Sequence, residues 1–63
     1  MYKVKFMKYI VKGPLKGIAI DTVLTFATLS AAMDYMGFLM KHTKKPVSAI
    51  GNGDYTCHVI RME

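Results

Sequence analysis

Three side chains bring nucleophilic or metal-binding chemistry to this chain: His42, Cys57 and His58. A structural zinc site takes four cysteine or histidine ligands at set spacings, and three such residues do not fill one. Cys57 and His58 are adjacent, so on a strand they point to opposite faces. A cysteine nucleophile needs a histidine in contact and a third group to orient it. Nothing in the spacing brings His42 to Cys57. The carboxylates Asp21, Asp34, Asp54 and Glu63 are scattered and form no acid/base pair. Asp54 reads as a turn residue, Asp21 as a strand charge and Glu63 as a terminal charge. With 63 residues there is also little room for a pocket of ordinary volume. These residues predict a protein that is not an enzyme, with no metal, no cofactor and no small-molecule substrate.

Charge chemistry is the second resource. The net charge is +5, and residues 1–20 carry Lys3, Lys5, Lys8, Lys12 and Lys16 without an acid. Residues 21–63 balance Lys41, Lys44, Lys45 and Arg61 against the four acids. A localised basic surface suits an acidic partner: a protein face, a nucleic acid or anionic lipid. Lys3, Lys5 and Tyr9 share one face of a strand if its register is continuous, and Lys12 and Lys16 stand near a loop tip. An open sheet face with lysines and aromatics holds single-stranded nucleic acid by charge and stacking. The competing reading is a solvated lysine face that protects a strand edge. No RNP string, helix-turn-helix or zinc-finger pattern is present. The stretch "KGPLKG", Lys12 to Gly17, has the glycines of a phosphate loop. It lacks the full G-x-x-x-x-G-K-[ST] pattern and is followed by a strand, so it reads as a turn.

The third resource is an aromatic ridge. Leu29, Ala32, Met33, Met36, Leu39 and Met40 recur at helical spacing and predict an apolar stripe facing the core. At about 100° per residue, Phe38 lies opposite that stripe. Ala31, Tyr35 and His42 lie beside Phe38. A solvent-facing helix side is normally charged, and only Asp34 and Lys41 flank this one. Ala31, Tyr35, Phe38 and His42 therefore predict a protein interface with Tyr35 and Phe38 as anchors. The alternative is an intramolecular cover by a loop or the first strand. Gly37 costs about 1 kcal/mol in mid-helix, which predicts a close approach by another element.

The elements that must position these groups follow from periodicity. Residues 2–11, rich in β-branched and aromatic types, predict a strand. Val4 and Phe6 alternate with Lys3 and Lys5. The phase then slips, with Lys8 on the Val4 side and Met7, Tyr9 and Val11 on the other. Either a β-bulge sits near Met7 or both faces are partly covered. Residues 18–26 predict a second strand with Ile18, Ile20, Leu24 and Phe26 on one face. A loop of Pro14 to Gly17 would pair Gly13 with Ile18 and Val11 with Ile20. Residues 29–43 predict a helix capped by Thr28 or Ser30. Lys41, His42, Lys44 and Lys45 suit its negative end, and Pro46 stops it. Residues 47–50 and 55–62 predict a second hairpin around Asn52-Gly53, with Ile50 opposite Tyr55 and Ser48 opposite Cys57. The expected fold is one α+β domain over residues 1–63: β-β-α-β-β, a four-stranded antiparallel sheet with one helix on one face.

Hydrophobic residues make up 52% of a chain with little interior. A domain this small is marginal without a disulfide, a metal or association. One cysteine allows no internal disulfide, which leaves association. "MYKVKFMKY" breaks any signal-peptide core, and the longest uncharged run, Thr22 to Met33, is too short to span a bilayer. The expectation is a cytoplasmic regulator or inhibitor that docks on a protein partner or forms a homodimer, away from membranes. Its lysine hairpin would steer it to an acidic surface. The alternative is a nucleic-acid-binding protein using that hairpin and the open sheet face.

Overall fold

The computed structural model describes residues 1–48 and 53–63. The order of elements is β1 (Tyr2–Lys12), β2 (Ala19–Phe26), α1 (Leu29–Lys41) and β3 (Asp54–Met62). The strands form an antiparallel sheet in the order β2-β1-β3, with α1 against one face. The class is α+β, as the periodicity predicts, but the sheet has three strands among the described residues rather than four.

The fourth strand fails for a reason outside its own sequence. Val47 meets Tyr55 in an isolated bridge, with reciprocal hydrogen bonds of 2.8 and 3.0 Å. One step along, the Cys57 N–H donates to the His42 carbonyl at 2.9 Å. The end of α1 thus takes the donor that a Ser48–Cys57 pairing required, and Ser48 is not in a strand. Val47 stands opposite Tyr55, where the sequence predicts Ile50; Ile50 itself and the Asn52 half of the expected loop lie outside the described residues. Gly53 has φ 90°. A Cβ there would overlap the Lys12 carbonyl, so only glycine fits this crossing.

β1 is the central strand, and its inner face supplies most of what the sheet gives the core. Val4, Phe6 and Ile10 are buried, and Val4 and Phe6 join Ala32, Leu39 and Cys57 in the core. Its register with β2 is unbroken from Tyr2↔Phe26 to Tyr9↔Ala19. The phase slip near Met7 is not a bulge in β1, which keeps its alternation there; the extra residue sits on β3. Lys5 pairs with Arg61 and Met7 with His58, so Phe6 alone opposes Val59 and Ile60. Val59 takes φ 52°, a left-handed conformation rare for a β-branched residue. Lys8 does stand on the inner face, and its ammonium lies 4.8 Å from the centre of the Tyr55 ring.

The first loop is wider than its sequence suggests. Ile20 pairs with Lys8 rather than Val11. The Ile10 N–H donates to the Ile18 carbonyl at 3.0 Å, and the Gly17 N–H to the Ile10 carbonyl at 2.8 Å. Gly13 and Gly17 both have positive φ, 111° and 94°, so the chain bends twice. Two turns close inside it, from Lys16 N–H to Gly13 carbonyl and from Ile18 N–H to Leu15 carbonyl.

α1 starts where expected: the Ala31 N–H donates to Thr28 Oγ1 at 3.2 Å. The helix is rotated relative to the predicted stripe. Ala32 and Leu39 are buried, with Tyr35 and Met36 packed beside them, while Leu29, Met33 and Met40 are exposed, Met33 by 59%. The inward face is displaced roughly 50° toward Tyr35 at about 100° per residue. A tyrosine ring offers more apolar area than a leucine or methionine at the stripe's margin, so burying it decides the rotation.

Candidate protein interface

A ladder of rings runs along one side of α1. Phe6, deep in the core, meets Tyr35 with 6.1 Å between centroids. Phe26, the last residue of β2, meets the same ring at 5.4 Å. Tyr35 stacks on Phe38 at 5.7 Å with 27° between planes, and Phe38 meets the His42 ring at 4.7 Å. Each such pair adds about 0.5–1.5 kcal/mol beyond simple burial, so the ladder is stiff. It begins inside the molecule and ends outside it, with Phe38 40% exposed.

The four residues expected to form the ridge divide accordingly. Tyr35 is half-buried and serves the protein's own core. His42 caps the helix: its Nδ1–H donates to the Lys45 carbonyl at 2.8 Å, and its own carbonyl accepts from Cys57. Phe38 and Ala31 face outward. They line a shallow depression of about 450 Å³ with Phe26, Asp34 and Tyr35. Sequence reasoning placed Asp34 on the flank of this surface but missed Phe26. The available signal was proximity in the chain: Phe26 lies two residues before the Thr28 cap, on the strand face that points toward the helix.

Gly37 has open space where a side chain would stand, with nothing within 4 Å of an added Cβ. The expected close approach to this glycine is absent among the described residues. Leu29, Met33 and Met40 add exposed apolar surface on the other flank of α1.

The lysine hairpin has the predicted alternation. Lys3, Lys5, Met7 and Tyr9 stand on the sheet face away from α1, together with Asp21 and Val23 of β2. Lys5 Nζ makes an ion pair with Glu63 at 2.9 Å. That hydrogen bond, and the charge behind it, hold the Glu63 carboxyl below its usual range. Lys5, Asp21 and Arg61 rim a cleft of about 290 Å³ over Met7, beside the Val59 bulge. Tyr9 packs edge-on against His58 at 6.4 Å, and His58 Nε2 shares a 2.7 Å hydrogen bond with Thr56 Oγ1. Lys12 and Lys16 are exposed about the loop tip.

Cys57 and His58 do point to opposite faces. Cys57 is buried under α1, and burial pushes its thiol above the usual range against a smaller downward pull from Lys8. A raised pKa keeps the sulfur in its poorly nucleophilic thiol form. Among the described residues, no three histidine, cysteine or acidic side chains group as metal ligands. No helix among them is long and apolar enough to cross a membrane. No protein-family model, curated protein or solved structure matches this chain.

Proposed function

We propose that this chain is a non-enzymatic protein-interaction domain of the regulator or inhibitor type. It associates through the outer side of α1, with Phe38 as the anchor. The observation that carries the reading is the exposed Phe38 ring held on a stack rooted in the core by Tyr35, Phe26 and Phe6. A pre-ordered aromatic loses little entropy on docking, and such residues dominate interface energetics. The lysines at the first loop steer the domain toward acidic surfaces. The test is Phe38→Asp. Half-exposed, Phe38 can be replaced without emptying the core, so circular dichroism stays native while association is lost. An unchanged mass by light scattering, together with unchanged partner capture, would remove this reading.

A second reading, nucleic-acid binding, rests on Lys3, Lys5 and Tyr9 standing together on the uncovered sheet face. It ranks lower because Glu63 neutralises Lys5 and Asp21 lies on the same face. Labelled oligonucleotides titrated against salt test it: phosphate contacts give an affinity that falls steeply with ionic strength. A signal that stays flat at low salt excludes it.

A further inference from the structure

The two edges of the sheet are treated differently. The outer side of β3 is guarded. Its Tyr55 and Cys57 N–H groups are taken by Val47 and His42, and the Val59 bulge breaks the strand beyond them. β2 pairs only with β1, over an unbroken register, and no described residue pairs with its outer side. Folded proteins protect such edges with lysine, proline, a bulge or a cover. β2 has none of these. Its sequence AIDTVLTF contains one charge, Asp21, and Ile20, Val23 and Leu24 are exposed. The depression at Phe38 adjoins this edge through Phe26.

Charge selects the occupant. All nine cations lie outside Gly17 to Met40, a segment whose only charges are Asp21 and Asp34. Along β2 and α1 as far as Met40 an acidic partner meets only Asp21 and Asp34; Lys16 stands just beyond, at the loop end. A second copy, itself carrying +5, meets this side without bringing lysines together.

We infer that two copies join along their β2 strands, antiparallel about a two-fold axis, into one continuous six-stranded sheet. This rests on the association proposed above and names its partner as a second copy. Side chains alternate along a strand, so the helix-side set Ile20, Thr22, Leu24 and Phe26 meets itself only when even positions oppose even ones. That register places both helices on one face, with the two Phe38 depressions flanking the seam. Centring on Val23 sets Asp21 opposite Thr25 of the second copy. The two Asp21 carboxylates are then about 14 Å apart along the strands, beyond the ~8 Å screening length at physiological salt. Antiparallel pairing also carries the loop tip of each copy, with Lys16, toward the Phe26 end of the other. Asp34 stands beside Phe26 there, so opposite charges meet at both ends of the seam.

The experiment combines sedimentation equilibrium with amide hydrogen exchange at several concentrations of the full chain. The expected result is a mass of twice 7.1 kDa, with β2 amide protection rising with concentration. Val23→Lys with Thr25→Lys should return the protein to monomer by at least a tenfold rise in Kd, with an unchanged circular dichroism spectrum. Asp34→Lys should weaken the dimer and remove part of its salt sensitivity. A dimer whose β2 exchange ignores concentration, and which tolerates the Val23→Lys pair, overturns the edge pairing. If that dimer still falls apart with Phe38→Asp, the association proposal stands without it. A species that stays monomeric to millimolar concentration also overturns the pairing. The double-lysine variant alone does not decide the matter if it unfolds; exchange on the unaltered chain does.

Discussion

Gly53, just before the last strand, and Val59, within it, both have positive φ, and the two call for opposite substitutions. Gly53 crosses the Lys12 carbonyl with φ 90°, where any side chain collides with backbone. Gly53→Ala should cost about 2 kcal/mol or more, read as a lower urea midpoint. Val59 stands 66% exposed with φ 52°, so it bears the left-handed strain with little packing in return. Val59→Gly should raise stability by about 1 kcal/mol. Cys57 gives a pH prediction. Burial raises its folded pKa, so the folded thiol keeps its proton where the unfolded chain releases it. Its stabilising contribution is complete below the ordinary thiol value of 9.0 and is lost as pH rises through the folded value. Tyr35 and Tyr55 are raised too, chiefly by burial, and act in the same direction at higher pH. Urea midpoints should therefore fall on the alkaline side. In Cys57→Ala the decline should begin later, from a lower starting stability. At this scale the sequence was partly legible. Opposite faces for Cys57 and His58 followed from adjacency alone. The positive φ at Gly53 agrees with the Asn52-Gly53 turn reading; the collision with the Lys12 carbonyl, far away in the chain, is not contained in local turn chemistry.

α1 and the β1–β2 hairpin show which properties of an element are local. Existence and type were legible from periodicity, and so was the Thr28 cap. Thr28→Ala should cost about 1 kcal/mol, measured by thermal or urea unfolding. Rotation and register were not legible. The predicted stripe weighted six aliphatic positions equally, whereas the folded helix turns to bring one large ring, Tyr35, onto Phe6 and Phe26. The hairpin offers two glycines with positive φ, and a single tight turn uses only one of them. Gly37 tests the helix from outside. With free space around it, Gly37→Ala should add stability by about 0.5–1 kcal/mol. Asn52-Gly53 favoured a fourth strand on turn chemistry. The competing bond from Cys57 to the His42 carbonyl is tertiary and has no sequence signature.

For the molecule as a whole, composition anticipated the main fact of its surface. A 63-residue chain that is half hydrophobic leaves large apolar side chains in view on β2 and on both flanks of α1. Which apolar groups stay outside could not be read, because that depends on the helix rotation and on a sheet of three strands, rather than four, among the described residues. If the copies associate as proposed, Tm rises with protein concentration, since the partner binds only the folded state. Differential scanning calorimetry across a hundredfold range of concentration should show the rise. Phe38→Asp should flatten it.

The position of β1 in the middle of the sheet also governs the order in which a ribosome delivers the parts. β1 is made first and can zip with β2 within microseconds of its release. Its other side waits for β3, whose Met62 pairs with Val4. The hairpin is complete at Phe26, and at about 5–20 residues per second the 36 residues from there to Met62 take roughly 2 to 7 s. Throughout that interval a nascent hairpin displays Val4, Phe6 and Ile10 along a half-finished sheet, a target for chaperones and for neighbouring nascent chains.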